Sequence, residues 1–173
     1  MASQSVVRVA NRHDAGEIWR LFLQGHRENG LFTLAPDKVQ YFMQRALCPE
    51  MIEPEDTGPR GIIGVIGPTG GLEALVFVTL GTYWYSHEKH LQEFLVYVDP
   101  ECRQSEHAKA LVDWMKDQVE ETKLPLLTGV ISTKRTEAKC RLYRRLLPKV
   151  GEFFYFGPKG SGAVPALIAT SSG

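Results

Sequence analysis

The stretch FLVYVDPECRQSEHA, residues 94–108, decides how this chain is interpreted. Its apolar first half is typical of a strand, Asp99-Pro100 of a turn, and the polar remainder of a loop that opens a helix. The first N–H groups of a helix lack intrahelical partners, and the helix dipole favours negative charge there. The stretch therefore predicts an anion site that suits a phosphate or pyrophosphate.

The composition of the chain narrows its class. At 173 residues it fits one domain with a full core. Lys+Arg and Asp+Glu both number 20, so no net charge indicates nucleic acid or a membrane as partner. The three cysteines are odd in number and lack metal-ligand spacing, which favours free thiols, a reducing compartment and no metal. With no secretory h-region and no long apolar run, the expected location is the cytoplasm.

The order of apolar patterns predicts β-α-α-β-β-β-α-β-α-β. The first helix is expected to be capped by Asn11 or Asp14 and to end at Gly25, and the second to begin at Pro36. The last helix is expected over residues 136–147. Strands are predicted over residues 6–10, 61–67, 72–85, 91–98, 124–131 and 151–156. One hairpin followed by crossovers implies a mixed sheet with helices on both faces, an α/β (mixed α+β) fold.

The strand over residues 91–98 is expected to be central. Strict alternation would place Glu93, Leu95 and Tyr97 on one face. The opposite face would then carry Phe94, Val96 and Val98. The preceding YWYSHEKH, residues 83–90, is interpreted either as rim packing or as the lining of a substrate site.

Two segments resemble motifs of the GNAT superfamily of acetyl-CoA-dependent N-acyltransferases. The segment RQSEHA, residues 103–108, follows VDPE and is similar to Gln/Arg-x-x-Gly-x-Gly/Ala. The segment LYRRL, residues 142–146, is similar to the Leu-Tyr-x-x-Leu of a later helix. The likeness covers roughly residues 5–156 and looks closest to bacterial and phage members. It implies one domain over residues 1–156 with a mixed sheet of about six to seven strands and about four helices, and a flexible tail over residues 157–173.

The resemblance also implies roles for individual residues. Acetyl-CoA would be the cosubstrate, with its pantetheine arm paired to the backbone of Val96 and Val98. Tyr143 would protonate the departing thiolate, and Glu93 is the first candidate for general base, against a purely structural role. Ser132 stands near the position of an asparagine in many members. The pyrophosphate would sit on the loop and helix start, formed by Arg103, Gln104, Ser105, Glu106, His107 and Ala108.

Glu106 departs from the motif, because glycine is expected at its position. Two like charges about 4 Å apart repel by roughly 4 kcal/mol at an effective dielectric of about 20. A carboxylate fixed beside the pyrophosphate would therefore weaken binding by up to about a thousandfold. If the side chain points outward to solvent, the affinity for the pyrophosphate would be preserved. A glutamate at a helix start can also simply cap the helix.

The fourth helix region is strongly basic. Its cations are expected either to form a solvated face or to meet the 3′-phosphate of CoA or an acidic partner. They are residues 134, 135, 139, 141, 144, 145 and 149, against the single acid Glu137.

The leading hypothesis is an N-acetyltransferase that moves an acetyl group directly to a primary amine of a small molecule or protein. The alternative is a catalytically impaired protein of the same fold that serves as a binding or structural component, for example in a phage particle. Either could form a homo-oligomer or a larger protein assembly.

Overall fold

A computed structural model describes residues 5–132 and 136–154 of the chain. The chain divides into two compact units. Among the described residues, the first contains those up to Leu23 and Ala35–Thr128, and the second contains Gln24–Leu34 and those from Gly129 onward. Within the described residues no helix is both long enough and apolar enough to cross a membrane.

The first unit is built on a mixed five-stranded sheet in the order β1-β2-β3-β4-β5. The first four strands pair antiparallel, and β5 runs parallel to β4. The strands are β1 (Arg8–Val9), β2 (Gly61–Ile66), β3 (Ala74–Thr82), β4 (Lys89–Val98) and β5 (Leu126–Leu127). The predicted α/β class is confirmed, with fewer strands than expected.

Four α-helices lie in the described residues, and the predicted order of elements is kept up to the last of them. They are α1 (Ala15–Asn29), α2 (Pro36–Leu47), α3 (His107–Thr122) and α4 (Thr136–Leu146). Asn11, predicted as one of two possible caps of the first helix, caps the short 3₁₀ helix that precedes α1, in a reciprocal capping box with Asp14. The predicted end of α1 at Gly25 is wrong, because the helix continues to Asn29. A single glycine costs a helix only about 1 kcal/mol, which tertiary packing can outweigh.

The predicted last strand is not formed at residues 151–154, and residues 155 and 156 lie outside the described part of the chain. In the second unit, the Phe153 ring lies against the backbone of Gly129, where a Cβ atom would collide with it. A larger residue at position 129 would therefore require the Phe153 ring to move.

Helices cover both faces of the sheet in the first unit. One face forms a core with α1 and α2 that contains Ile18, Leu21 and Met43 together with Phe77 and Tyr97. On the other face α3 packs against β2, β3 and β4. Its Leu111, Val112 and Met115 are fully buried there, each contributing roughly 1.5–3 kcal/mol of apolar burial.

A β-bulge interrupts β4. Phe77 pairs with Leu95 and Val78 with Glu93, so Phe94 is an extra residue without a partner on β3. The Phe94 ring contacts Phe77 at 5.6 Å between centroids, on the α1–α2 face of the sheet. The predictions that Phe94 lies opposite Leu95 and that Glu93 shares the face of Leu95 are therefore wrong, because the bulge breaks strict alternation.

Candidate functional site

The long strand β4 has one edge that is paired over only a short part of its length. On one side it pairs with β3 along almost its whole length. On the other side, β5 pairs with it only at Leu91 and Gln92. Among the described residues no strand continues this ladder along residues 93–98, so a stretch of backbone is left with an open edge.

The backbone of Val96 and Val98 points to this open edge. The amide of Asp99 donates to the Glu73 carbonyl at 2.8 Å, on the β3 side. Successive backbone groups of a strand point to alternate edges, so the N–H groups of Val98 and Val96 point away from β3. Val96 is buried and Val98 is half-buried. These are the two residues for which pairing with an extended ligand is predicted.

Arg103 folds back onto the end of β4. Its Nε donates to the Val98 carbonyl at 3.2 Å, and its Nη2 donates to the Tyr97 hydroxyl at 3.3 Å. The guanidinium carbon also lies 5.5 Å from the centroid of the Tyr97 ring. A positive charge is thereby held where the strand meets the loop.

The loop after β4 uses some of its amides internally. A 3₁₀ turn, Pro100–Cys102, starts at Asp99, whose side chain accepts from the Glu101 amide. The Ser105 amide donates to the Cys102 carbonyl at 3.1 Å, and the His107 amide donates to Ser105 Oγ at 3.2 Å.

Three further amides of the same loop and helix start are available to a ligand. In the part of the chain that the structure describes, the amides of Gln104, Glu106 and Ala108 have no acceptor. They lie at the positive end of α3, so an anion would find both N–H donors and a favourable dipole there.

Glu106 occupies the N-cap position of α3, but its side chain makes no capping hydrogen bond. The predicted capping role of this carboxylate is therefore wrong. The residue is exposed to solvent. Because water surrounds the carboxylate, its repulsion of a bound anion is screened far below the value expected for a fixed, partly buried charge.

His107 is turned into the protein. It is 7% exposed, with Nδ1 at 2.7 Å from Ser5 Oγ and Nε2 at 2.5 Å from Glu73 Oε2. Cys102 lies beside Glu73, and burial first, then the charge of Glu73, raises the pKa of its thiol. Sequence reasoning missed Ser5 and Glu73, because both lie far from His107 along the chain.

Glu93 lies close to the point where β4 and β5 separate. It follows Gln92, the last β4 residue that pairs with β5. Its carboxylate accepts a hydrogen bond from the Thr128 hydroxyl, just beyond β5. Glu93 is half-buried, so the carboxylate is oriented by the protein and still reachable by water.

Tyr143 and Ser132 belong to the second unit. Tyr143 is half-buried on α4, and its carbonyl accepts from the Leu147 amide at 2.7 Å. The Ser132 hydroxyl donates to Asn29 Oδ1 at 2.6 Å, and the Ser132 carbonyl accepts from the Thr136 hydroxyl at 2.8 Å. Ser132 thus contacts both Asn29, at the end of α1, and Thr136, the first residue of α4.

The basic α4 presents several cations to solvent. Arg141, Arg144 and Arg145 are exposed, whereas Lys134 and Arg135 lie outside the described residues. The aromatic side chains between β3 and β4 are also exposed. Trp84 is 88% exposed and makes an edge contact with Tyr85 at 5.3 Å between ring centroids.

Comparison with known proteins gives a clear result for the fold alone. No protein-family model matches the chain, and no curated protein sequence matches it. Solved structures do match. One is a ribosomal-protein-alanine N-acetyltransferase from Brucella melitensis biovar Abortus 2308, with a TM-score of 0.61, 18% identity, and coverage of 88% of this chain and 97% of that chain.

Two other solved structures give the same result. The aminoglycoside 6'-N-acetyltransferase AAC(6')-IG from Acinetobacter haemolyticus matches with a TM-score of 0.62 and 11% identity, covering 89% of this chain and 98% of its own. A predicted acetyltransferase from Clostridium acetobutylicum, solved with acetyl-CoA, matches with a TM-score of 0.65 and 10% identity, covering 88% and 95%. The chain therefore has the fold of the GNAT acetyltransferases, as its two motifs indicated.

Proposed function

We propose that this chain is an N-acetyltransferase that moves an acetyl group from acetyl-CoA to a primary amine by direct attack. The observation that carries the proposal is the open edge of β4 at Val96 and Val98. An extended ligand arm with amide groups can add to such an edge as another strand would. The pantetheine of acetyl-CoA is an arm of this kind.

The loop and helix start after β4 support the binding of the pyrophosphate. The amides of Gln104, Glu106 and Ala108 supply donors, and the N-terminus of α3 supplies a favourable field. The exposed Glu106 side chain can turn into water when the anion is bound. Arg103 contributes a cation at the same end of β4.

Glu93 and Tyr143 supply the proton transfers of the proposed reaction. Glu93, acting through water, takes a proton from the attacking amine. The new N–C bond then gives a tetrahedral intermediate whose oxyanion accepts hydrogen bonds from β4 N–H groups. The C–S bond breaks, and Tyr143 donates its hydroxyl proton to the CoA thiolate, because the two groups are similarly basic.

The proposal assigns this activity to a single domain formed by residues 1–156. The fold match to an acetyltransferase solved with acetyl-CoA supports the choice of cosubstrate. The acceptor is an amine of a small molecule or protein.

The test is calorimetric titration of the full chain with acetyl-CoA, followed by hydrogen exchange with and without the ligand. We expect saturable binding, together with slower exchange at the amides of Val96 and Val98. Mass spectrometry of a panel of amines then detects products heavier by one acetyl group. If millimolar acetyl-CoA gives neither heat nor protection, the chain is a binding or structural protein of this fold, for example a phage component, and not this enzyme.

A further inference from the structure

Three side chains of different chemistry meet beneath the loop that follows β4. They are the carboxylate of Glu73, the thiol of Cys102 and the imidazole of His107, and one ligand atom from each lies within 4.8 Å of the other two. Glu73 comes just before β3, Cys102 ends the 3₁₀ turn, and His107 opens α3. The fold, and not local spacing, brings them together.

The proton positions of this cluster can be assigned from its contacts. Glu73 accepts from His107 Nε2, and the Cys102 sulfur lies within 4.8 Å of both of these atoms. The Ser5 hydroxyl then donates to His107 Nδ1, which in this tautomer carries no proton. The Nε2 proton of His107 is thus directed at the Glu73 carboxylate, beside the Cys102 thiol, at the point where a divalent cation would sit.

We propose that Glu73, Cys102 and His107 form a Zn²⁺ site, with water as the fourth ligand. Thiolate, imidazole and carboxylate are the three ligand types that Zn²⁺ takes in proteins, and three protein ligands plus water is a recurrent coordination set. Zn²⁺–ligand bonds of about 2.0–2.3 Å place neighbouring ligand atoms roughly 3.3–3.8 Å apart. The widest separation in the cluster, at most 4.8 Å, therefore has to shorten by no more than about 1–1.5 Å, and the 2.5 Å contact between Glu73 and His107 has to lengthen by about 1 Å.

Glu73 is the side chain that can adjust to the cation. Its side chain is 45% exposed, whereas that of His107 is only 9% exposed. Glu73 can therefore move out of its hydrogen bond with His107 and ligate through either oxygen. The same exposure gives the cation a route from solvent and leaves a position for the water ligand.

Charge and protons balance when the cation binds. Cys102 loses one proton to solvent, and Glu73 is already a carboxylate, so two negative ligands neutralise Zn²⁺. For His107 to ligate through Nε2, its proton moves to Nδ1. The Ser5 hydroxyl then accepts the hydrogen bond that it previously donated, which a hydroxyl can do by rotation. Ser5 thereby orients the imidazole ligand from its far side.

A cation at this site would contact both ends of the loop that follows β4. Cys102 and His107 flank residues 103–106, the loop that the proposed activity uses for the pyrophosphate. A cation bound at both ends of this loop would hold its backbone in place. The inference goes beyond the proposed acetyl transfer, because it concerns a cation and is tested without acetyl-CoA.

The experiment is a titration of the chelator-treated full chain with Co²⁺, followed by displacement with Zn²⁺. We expect one Co²⁺ per chain, a near-ultraviolet charge-transfer band that only a thiolate ligand produces, and loss of both signals as Zn²⁺ is added. The Cys102→Ser variant should lose the band and bind Zn²⁺ at least about a hundredfold more weakly. The Ser5→Ala variant should keep the band and weaken Zn²⁺ binding by about tenfold.

Cys48→Ser and Cys140→Ser are matched controls, since both remove a free thiol outside the cluster. Each should retain the full band. If Cys102→Ser folds poorly, Glu73→Gln tests the same site. This variant should bind Zn²⁺ more weakly and keep the thiolate band. The inference is overturned if the wild-type chain shows no thiolate band at stoichiometric Co²⁺, or if the band survives in a folded Cys102→Ser variant.

Discussion

Tyr143 carries the hydroxyl that the proposed reaction needs as an acid. Replacing it by phenylalanine removes the proton donor and keeps the ring. We expect Tyr143→Phe to lower kcat by roughly 10²–10⁴-fold, the usual contribution of a general acid. Binding of acetyl-CoA, measured by calorimetry, should stay within about twofold, because the proton is transferred only in the transition state.

Tyr85→Phe is the control for this change, since Tyr85 is 72% exposed and supplies no proton in the proposed reaction. Its turnover should equal that of the unmodified chain. Unchanged turnover in Tyr143→Phe would remove this residue from the acid role.

Glu106 is the residue at which the loop departs most from the motif. Because its side chain is exposed, we expect Glu106→Gly to tighten acetyl-CoA binding by only about two- to fivefold, the range of solvent-screened charge pairs. Glu106→Gln removes the charge and keeps the size, so most of the gain should appear in this variant also. Calorimetry at low and high salt measures the affinity of both variants for acetyl-CoA, and the gain in affinity should shrink as the salt concentration rises. Weaker binding in both variants would contradict the electrostatic explanation.

At the residue level, the sequence motif indicates a backbone segment but not the orientation of its side chains. The loop RQSEHA was identified from its motif, and Val96 and Val98 do point to an open edge. The inward turn of His107 could not be predicted, because its partners are Ser5 and Glu73. Only the folded sheet brings those residues to the start of α3.

At the level of elements, the sequence pattern predicted the order well and the local irregularities poorly. An alternating pattern assumes a regular ladder, so it cannot reveal the bulge that gives Phe94 no partner on β3. Glycine is a weak helix breaker, so Gly25 was interpreted as an end when packing carries α1 through it. Both errors arise where tertiary contacts outweigh local preference.

The connection from β1 to α1 contains Asp14, a carboxylate whose pKa is strongly lowered. Asp14 is fully buried and accepts two hydrogen bonds from Arg8, each at 2.8 Å. The Thr69 hydroxyl also donates to it. The hydrogen bonds from Arg8 lower the pKa of Asp14 to about 2, against the opposing effect of burial.

A carboxylate with a lowered folded-state pKa contributes stability above its unfolded pKa, and this contribution is lost as pH falls through the folded value. We therefore expect Asp14→Asn to unfold more easily than the unmodified chain at pH 6. The difference in free energy of unfolding between the unmodified chain and Asp14→Asn should shrink by about 2 kcal/mol as the pH falls from 5 to 2. Urea unfolding at several pH values measures it.

Asp113→Asn is the control, because Asp113 is 40% exposed and pairs with the similarly exposed Lys109. Its effect on the free energy of unfolding should stay below about 1 kcal/mol. If the free energies of unfolding of the unmodified chain and Asp14→Asn differ by the same amount at pH 5 and pH 2, the titration of Asp14 does not contribute to stability.

At the level of the whole molecule, the fold class was predictable because several independent patterns agreed. The helix and strand order, the mixed sheet and the two motifs all led to the fold that the solved structures share. The number of strands was overestimated, since β1 and β5 each contain only two residues and residues 151–154 form no strand. Apolar periodicity shows that a segment can be a strand, but pairing depends on the neighbours that the fold supplies.

Packing across the sheet gives a prediction for stability as a whole. A Cβ atom added at Gly64 would lie 3.0–3.1 Å from side-chain atoms of Val7, Val76 and Trp114. We expect Gly64→Ala to lower the free energy of unfolding by about 1–3 kcal/mol through overpacking. Chemical denaturation measures the change.

Gly16→Ala is the matched control, since a Cβ atom at Gly16 meets nothing within 4 Å. Gly16 lies within α1, so this variant should be stabilised by roughly 0.5–1 kcal/mol. Equal effects of the two substitutions would show that close packing is not the reason for glycine at position 64.

The open edge of β4 has a consequence for handling the protein as well as for its chemistry. An unpaired strand edge is a template on which a second chain can add, which is how edge-to-edge aggregates begin. The residues along this edge are mostly apolar, with Glu93 as the acidic side chain near the fork with β5. A ligand that occupies the edge therefore also protects the protein from self-association, and preparations kept with CoA should remain monodisperse longer than preparations without it.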